Sequence, residues 1–542
     1  MDQLNNTLPS TEEEKQDAAA IMPISIESPL LNQVRQKFEI TGSLSLIFGC
    51  LFTFSFYDAA FGINALFFTG LMIILLAVFM KRHTIPLKKE TFAYYGAALL
   101  LSLSTTLTSN GSLQALNTIG TILLLNLSIL HQLHEDGKWD FAMHFSKMVG
   151  MLFHGLGSIA MPFADAVYFM KRTKFFRHDK VRNVFLGILL SVPILWLVIV
   201  LLSGADMLFS SMTTKILQKF FSPDIIVIVL LVLFGFFSCY CILCGAAAQV
   251  GRKEKFDFKK GASAIAVTVM LLICMVYAVF CGVQIIYLFA AGVFALPEGI
   301  TFSEYARSGF FQLLAVTIIN VLLMVLCTTL FEESKLLRIL LTFMTACTYI
   351  MIFSAGYRML LYIDAYQLTF LRLFVLLALL IIALLLAGVI VSVYKKEFPL
   401  FRYCVAVITI CYLCFSLSRP DYWIASYFTD RKAVLEEEDA RFLMEELSLD
   451  AAPVVVPLLM EKDRWNSLMH QDDINNGNYF EQTDNYDHHV IKGEWSTLDY
   501  YSVLYYKKIQ LQNKLRGYRD FNVSIQIADQ YRKRNAITFY KN

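Results

Sequence analysis

The chain has 542 residues, 57% of them hydrophobic and 14% aromatic but only 17% charged, with 46 Lys and Arg against 44 Asp and Glu for a net charge of +2. Soluble domains carry about a quarter of their residues as charge, so this composition excludes an ordinary soluble protein and points to the membrane class. The near-balance of charge speaks against a nucleic-acid partner, which calls for a basic face, and neither GxxxxGK[ST] nor a strand-placed GxGxxG is present to cradle a phosphate.

The N-terminus, MDQLNNTLPSTEEEKQDAAA, is polar and acidic, the reverse of a cleavable signal. Residues 1–40 read as a disordered segment on the cytoplasmic side, and the first span as an uncleaved targeting signal. From Thr41 to Ser418 apolar stretches of about 20 residues recur, each ended by charge, which matches a hydrocarbon thickness of roughly 30 Å. Spans are predicted near 41–58, 60–80, 92–108, 113–131, 183–203, 225–248, 262–290, 309–331, 336–357, 371–394 and 399–418. Backbone in lipid must satisfy its own hydrogen bonds, so the fold class is all-α, a polytopic transmembrane helix bundle of about eleven spans.

Basic residues alternate along the chain: Arg35 and Lys37; Lys81, Arg82, Lys88 and Lys89; the run from Lys171 to Lys180; the run from Arg252 to Lys260; Lys335 and Arg338; Lys395 and Lys396. Short cytoplasmic loops carry such an excess, so the N-terminus is placed inside, and an odd number of crossings places the C-terminal tail outside. The stretch 141–170 is apolar but interrupted by His144, Lys147, His154, Asp165, three glycines and Pro162. It reads as interfacial or re-entrant helices; a single crossing there would move the tail inside.

All eleven cysteines, from Cys50 to Cys414, fall in the hydrophobic body, which argues against a disulfide framework, and the CYCILC run (Cys239, Cys241, Cys244) reads as small hydrophobes. His131, His134 and Glu135 form HQLHE, which is not HExxH and lacks a third metal ligand. Asn117, Asn126 and Asn320 within spans read as interhelical hydrogen-bond glue. After Ser418 the composition turns polar, so 419–542 is predicted to be a separate, mainly helical C-terminal domain broken at Pro453 and Pro457. Within it, DNYDHH reads as a polar loop, and DDINNGNY fails the EF-hand spacing because Gly477 stands at its fifth position from Asp473. No metal or other cofactor is expected.

Ionisable side chains near helix ends are the informative ones, because charge in hydrocarbon is costly and usually has a partner or a use. Asp58, Asp206, Glu304, Arg307, Arg358, Asp364 and Arg372 are all assigned to the outer surface, with Arg419 and Asp421 entering at the same level. One reading is a set of ion pairs that lock helices together. The other is an outward-facing vestibule roofed by the tail, in which Asp206, Glu304, Arg307, Arg358, Asp364 and Arg372 bind or gate a small molecule, an ion or a lipid headgroup.

Four ordered strings carry a family resemblance: LLSGADMLF (Leu201 to Phe209), EYARSGFFQLLAV (Glu304 to Val316), YRMLLYIDAYQLTFLRL (Tyr357 to Leu373) and RPDYWIASYFTDR (Arg419 to Arg431), the last continuing into LSLDAAPVVVPLL. They resemble a family of bacterial multi-pass membrane proteins defined by a domain of unknown function. That family usually has glycine where this chain has Gln367. The resemblance implies a multi-pass protein of the bacterial cytoplasmic membrane with a polar C-terminal extension, and it implies no reaction. The expected function is therefore a non-enzymatic transporter-like, sensing or assembly component whose partner is the lipid bilayer. The alternative is a membrane-embedded enzyme acting on a lipid-linked or headgroup substrate, with Asp206 or Glu304 as general base.

Overall fold

The computed structural model describes residues 28–139, 141–172, 223–250, 261–289, 310–395, 397–431, 437–460 and 497–539, together with seven isolated positions between 187 and 206. The predicted span 183–203, Glu304, Arg307, the basic runs 173–180 and 252–260, and the loops 472–479 and 484–489 lie wholly or mostly outside the described residues. The described chain is all-helical apart from a single bridge between Gly261 and Phe331.

In chain order the helices are α1 (Pro29–Gln36), α2 (Phe38–Phe56), α3 (Ile63–Arg82), α4 (Thr91–Leu107), α5 (Gly111–Leu133), α6 (Phe141–Gly157), α7 (Met161–Arg172), α8 (Pro223–Ala248), α9 (Ser263–Phe289), α10 (Phe310–Leu330), α11 (Lys335–Tyr366), α12 (Phe370–Tyr394) and α13 (Leu400–Leu417). The tail adds α14 (Pro420–Arg431), α15 (Glu437–Arg441), a π turn at Phe442–Glu446, a 3-10 turn at Leu449–Ala451, α16 (Ala452–Met460), α17 (Thr497–Lys514) and α18 (Val523–Phe539). Nine of the described helices are long and apolar enough to cross a membrane: α2, α3, α5 and α8 to α13. At 17 residues α4 is shorter, yet it runs between the same two ends as its neighbours. The described residues thus hold nine such spans plus α4, not the full set of about eleven.

Apolar packing divides the chain into three cores. The first gathers α1 to α6 and α8, the second α9 to α12, and the third the tail. In the first, α8 meets α2 where a Cβ on Gly49 would stand 2.4 Å from the Val232 carbonyl, and meets α6 where a Cβ on Gly245 would stand 2.5 Å from the Gly155 nitrogen. Glycine at both crossings lets backbones touch, the packing that replaces hydrophobic drive between helices in lipid. On α13, Tyr412 and Ser416 donate to Asn117 Oδ1 of α5 at 2.8 and 2.7 Å, while Tyr277 of α9 and Asn320 of α10 join at 2.6 Å and Asn320 donates to Thr348 of α11 at 3.0 Å. Asn126, expected to do the same, instead donates to Ile122 O of its own helix.

The two ends of the bundle differ in charge. At one end lie α1, Lys37, Lys81, Arg82, Lys88, Lys89, Lys335, Arg338, Lys395 and Arg402, tied together by bonds such as Lys37 Nζ to Arg82 O at 3.1 Å and Lys88 Nζ to His131 O at 2.7 Å. At the other end the described loops 57–62, 108–110 and 367–369 contain no Lys or Arg, and the tail packs there. Ile63 N donates to Phe521 O, Asn64 N to Arg519 O, and Leu368 and Phe370 join the tail core. The tail therefore docks on the end opposite the basic loops.

Two local expectations change. The sequence suggests a turn after Tyr357, but α11 runs 32 residues to Tyr366. Hydropathy marks where apolar side chains stop, whereas the helix continues until a residue leaves helical geometry, here Gln367 at φ 73° and ψ 167°. Glycine alone takes that conformation without strain, so Gln367 holds a strained turn. Pro453 and Pro457 lie inside α16 and do not break it; Pro453 occupies the first turn, where a missing N–H forfeits no intrahelical bond.

Candidate functional site

A cavity of about 790 Å³ opens at the basic end, between the second core and the segment that joins α5 to α6. Its walls come from the ends of α10 and α12, the starts of α6, α11 and α13, and the loops at 136–139 and 397–399. Phe141, Phe331, Leu337, Leu341, Val393 and Phe401 give it apolar surface, and Thr328, Thr329, Ser334, Ser392, Glu397, Asp136, Glu333, Arg338 and Arg402 line it with polar and charged groups to at least the same extent. A concave site of this volume, lined by apolar and polar groups together, has the dimensions of a ligand pocket.

Asp136 anchors one wall. It starts a 3-10 turn just past the end of α5, so its carboxylate folds back over the last helical turn to His131. His131 Nδ1 lies 2.9 Å from both of its oxygens, Arg402 Nη2 from the start of α13 lies 2.9 Å from Oδ1, and His144 Nε2 from the first turn of α6 lies 3.5 Å from Oδ2. Glu90 closes the ring, 3.2 Å from His131 Nε2 and 3.3 Å from Arg402 Nη1. Burial by itself would raise the Asp136 carboxyl, but the hydrogen bonds from His131 and His144 and the charge of Arg402 outweigh it and hold the group well below the usual carboxylate range. The His144 ring stacks on Phe401 at 4.2 Å, with Trp139 edge-on at 5.2 Å. This wall is a fixed charged lattice that ties α4, α5, α6 and α13 at one point.

His131 and His134 do not share a face. His131 turns to Asp136, while His134 packs against Trp139 at 5.1 Å with Nε2 3.4 Å from Gln249 O, and burial lowers its basicity. Among the described residues no group of three His, Cys, Asp or Glu side chains is arranged to hold a metal.

The residues singled out at the tail end have separate partners. Arg358, 8% exposed, donates to Gln284 Oε1 at 3.4 Å, and Gln284 also accepts from Ser354. Asp364 pairs with Arg431 of α14 on the surface. Arg372 donates to the carbonyls of Tyr366 and Gln367, capping α11, and covers the Tyr362 ring at 4.3 Å. Asp206 is exposed, with its backbone N–H donating to Leu202 O at 3.1 Å, and Glu304 and Arg307 lie outside the described residues. None of Arg358, Asp364 and Arg372 contacts another of the three among the described hydrogen bonds and ion pairs.

Two acids that dock the tail carry more of this end's geometry. Asp450 is fully buried and accepts from Thr108 Oγ1, Ser109 N at 2.8 Å, Ser109 Oγ at 2.9 Å and Ser524 Oγ. Asp421, 1% exposed, accepts from Asn110 Nδ2 at 2.8 Å and Ser448 N at 3.1 Å. Burial pushes its carboxyl up, those hydrogen bonds oppose the rise, and the charge of Asp450 adds to it. Asp421 was legible as an acid entering from the tail. Asp450 and Arg402 gave no comparable signal, because Asp450 meets Thr108 across 342 residues and Arg402 meets Asp136 across 266.

A family model described as Domain of unknown function (DUF4153) matches residues 95–458. The match runs from α4 to α16, taking in the cavity and the two docking acids but not α17 or α18. No curated protein and no solved structure matches the chain.

Proposed function

The chain belongs to the DUF4153 family, and from that premise we propose that it is a transporter-like membrane protein. It holds a small amphiphilic solute in a vestibule that opens at the basic end and is closed at the other end by the tail. The observation that carries this reading is the cavity of about 790 Å³ set between separately packed helix groups. Short loops rich in Lys and Arg face the cytoplasm, so the vestibule opens inward and the tail lies outside. The apolar part of the lining, with Phe141, Phe331 and Phe401, takes the hydrocarbon part of the solute. The Thr328, Thr329 and Ser392 hydroxyls and the exposed Glu397 take its polar end. Asp136, Arg402 and His131 keep the wall rigid and are not themselves free to bind.

Cysteine labelling tests this. Thr329→Cys and Ser392→Cys, each in full-length protein, should react with a membrane-impermeant maleimide in inverted vesicles and not in intact cells, while Glu446→Cys, exposed in the tail, shows the reverse. Protein without the added cysteine supplies the background. Reaction of Thr329→Cys or Ser392→Cys from the outside, or from neither side, would refute the inward vestibule.

A further inference from the structure

A polar domain has little reason to leave large apolar side chains bare, yet the end of α17 and the turn after it do so. Leu511 is 58% exposed, Leu515 72% and Tyr518 100%, while Tyr505 and Ile509 on the inner face of the same helix are buried. Leu511 and Leu515 stand one helical turn apart and so form a single stripe. The exposed Lys514 and Arg519 flank it.

The position of this stripe names its occupant. Arg519 Nη1 donates to Phe54 O at 3.0 Å and its guanidinium stands 5.6 Å from the Phe54 ring. Phe54 is itself 65% exposed in the last turn of α2, a membrane-spanning helix, so its ring faces lipid. Phe521 O and Arg519 O accept from Ile63 N and Asn64 N at the start of α3. The turn that follows the stripe is thus fastened where α2 ends and α3 begins, the level at which two spans leave the hydrocarbon.

We propose that the segment 511–521 is a lipid-binding element seated in the adjacent leaflet, with its leucines at the acyl boundary, Tyr518 at headgroup level, and Lys514 and Arg519 beside anionic phosphates. Apolar side chains flanked by Lys and Arg, with an aromatic at the interface, suit that depth. The inference stands apart from the vestibule and from the choice of leaflet.

The test uses full-length protein in nanodiscs and reads the difference in fluorescence between a Tyr518→Trp or Leu515→Trp variant and the unsubstituted protein. The added emission should fall at least twofold when the nanodisc lipid is brominated near the top of the acyl chain, and aqueous iodide should quench it several-fold less than free tryptophan. Replacing part of the phosphatidylcholine by phosphatidylglycerol should shift the emission further to the blue. Full quenching by iodide with none by brominated lipid overturns the proposal, because the segment then faces water. Quenching by neither, with a dimer on size-exclusion chromatography, also overturns it by assigning the stripe to a second copy of the chain.

Discussion

Replacing Asp450 with alanine should release the tail from the bundle. Its carboxylate is fully buried and accepts four hydrogen bonds, one from the Ser109 backbone and three from the hydroxyls of Thr108, Ser109 and Ser524. These donors belong to the α4–α5 loop and to α18, so one side chain joins the bundle to two parts of the tail. A hydrogen bond to a charged group contributes about 1.5–3 kcal/mol, and a buried donor left without an acceptor costs about 1–3 kcal/mol. The three hydroxyls can rotate toward other acceptors whereas the Ser109 N–H cannot, which places Asp450→Ala at about 3–5 kcal/mol. Ser524→Ala, which deletes one donor and strands nothing, should cost about 1.5–3 kcal/mol. At 1.4 kcal/mol per tenfold change, the larger figure raises the undocked fraction between about a hundredfold and a few thousandfold. Limited proteolysis in detergent reads this directly: the tail of Asp450→Ala should be cut at a rate higher by that factor, with Ser524→Ala in between. Protease resistance of Asp450→Ala within twofold of the unsubstituted protein would refute the docking role.

Four further outcomes follow from the geometry. His83 is 2% exposed and burial, with the nearby Lys37 charge, pushes it down to about 4 from an ordinary 6.5; the unfolded chain then binds the extra proton first, so stability should fall by up to about 3 kcal/mol as pH drops from 6.5 to 4, and His83→Gln should flatten that slope in thermal unfolding. Asp136→Asn and Arg402→Gln should each destabilise by about 2–4 kcal/mol, with the double variant well short of their sum, since each single change strands the other's partner; strict additivity in thermal unfolding would count against the pairing. Gly49→Ala and Gly245→Ala force a Cβ into backbone atoms within 2.5 Å and should cost at least about 1–3 kcal/mol, whereas Gly356→Ala meets nothing within 4 Å and should be neutral or slightly stabilising in the same melts. Gln367→Gly relieves the strained turn by about 1–3 kcal/mol but gives up the bond from its amide to Asp439, so a net rise in the thermal midpoint is expected.

The spans were legible because a crossing helix has its length set by the bilayer and not by its neighbours: 113–131 became Gly111–Leu133, 225–248 became Pro223–Ala248, and 371–394 became Phe370–Tyr394. The alternation of basic loops was legible for the same reason, since it reflects each loop's side of the membrane. Partnership was not. Arg358, Asp364 and Arg372 read alike as charges near one surface, yet one joins Gln284 inside the bundle, one pairs with the tail and one caps a helix. Asp136 meets Arg402 across 266 residues and Thr108 meets Asp450 across 342, separations that no local pattern encodes. Length and hydropathy alone thus determined a helical membrane protein and the charge of its two ends. Only tertiary packing decided which end the tail covers and where a cavity remains, because both depend on contacts between helices far apart in the chain.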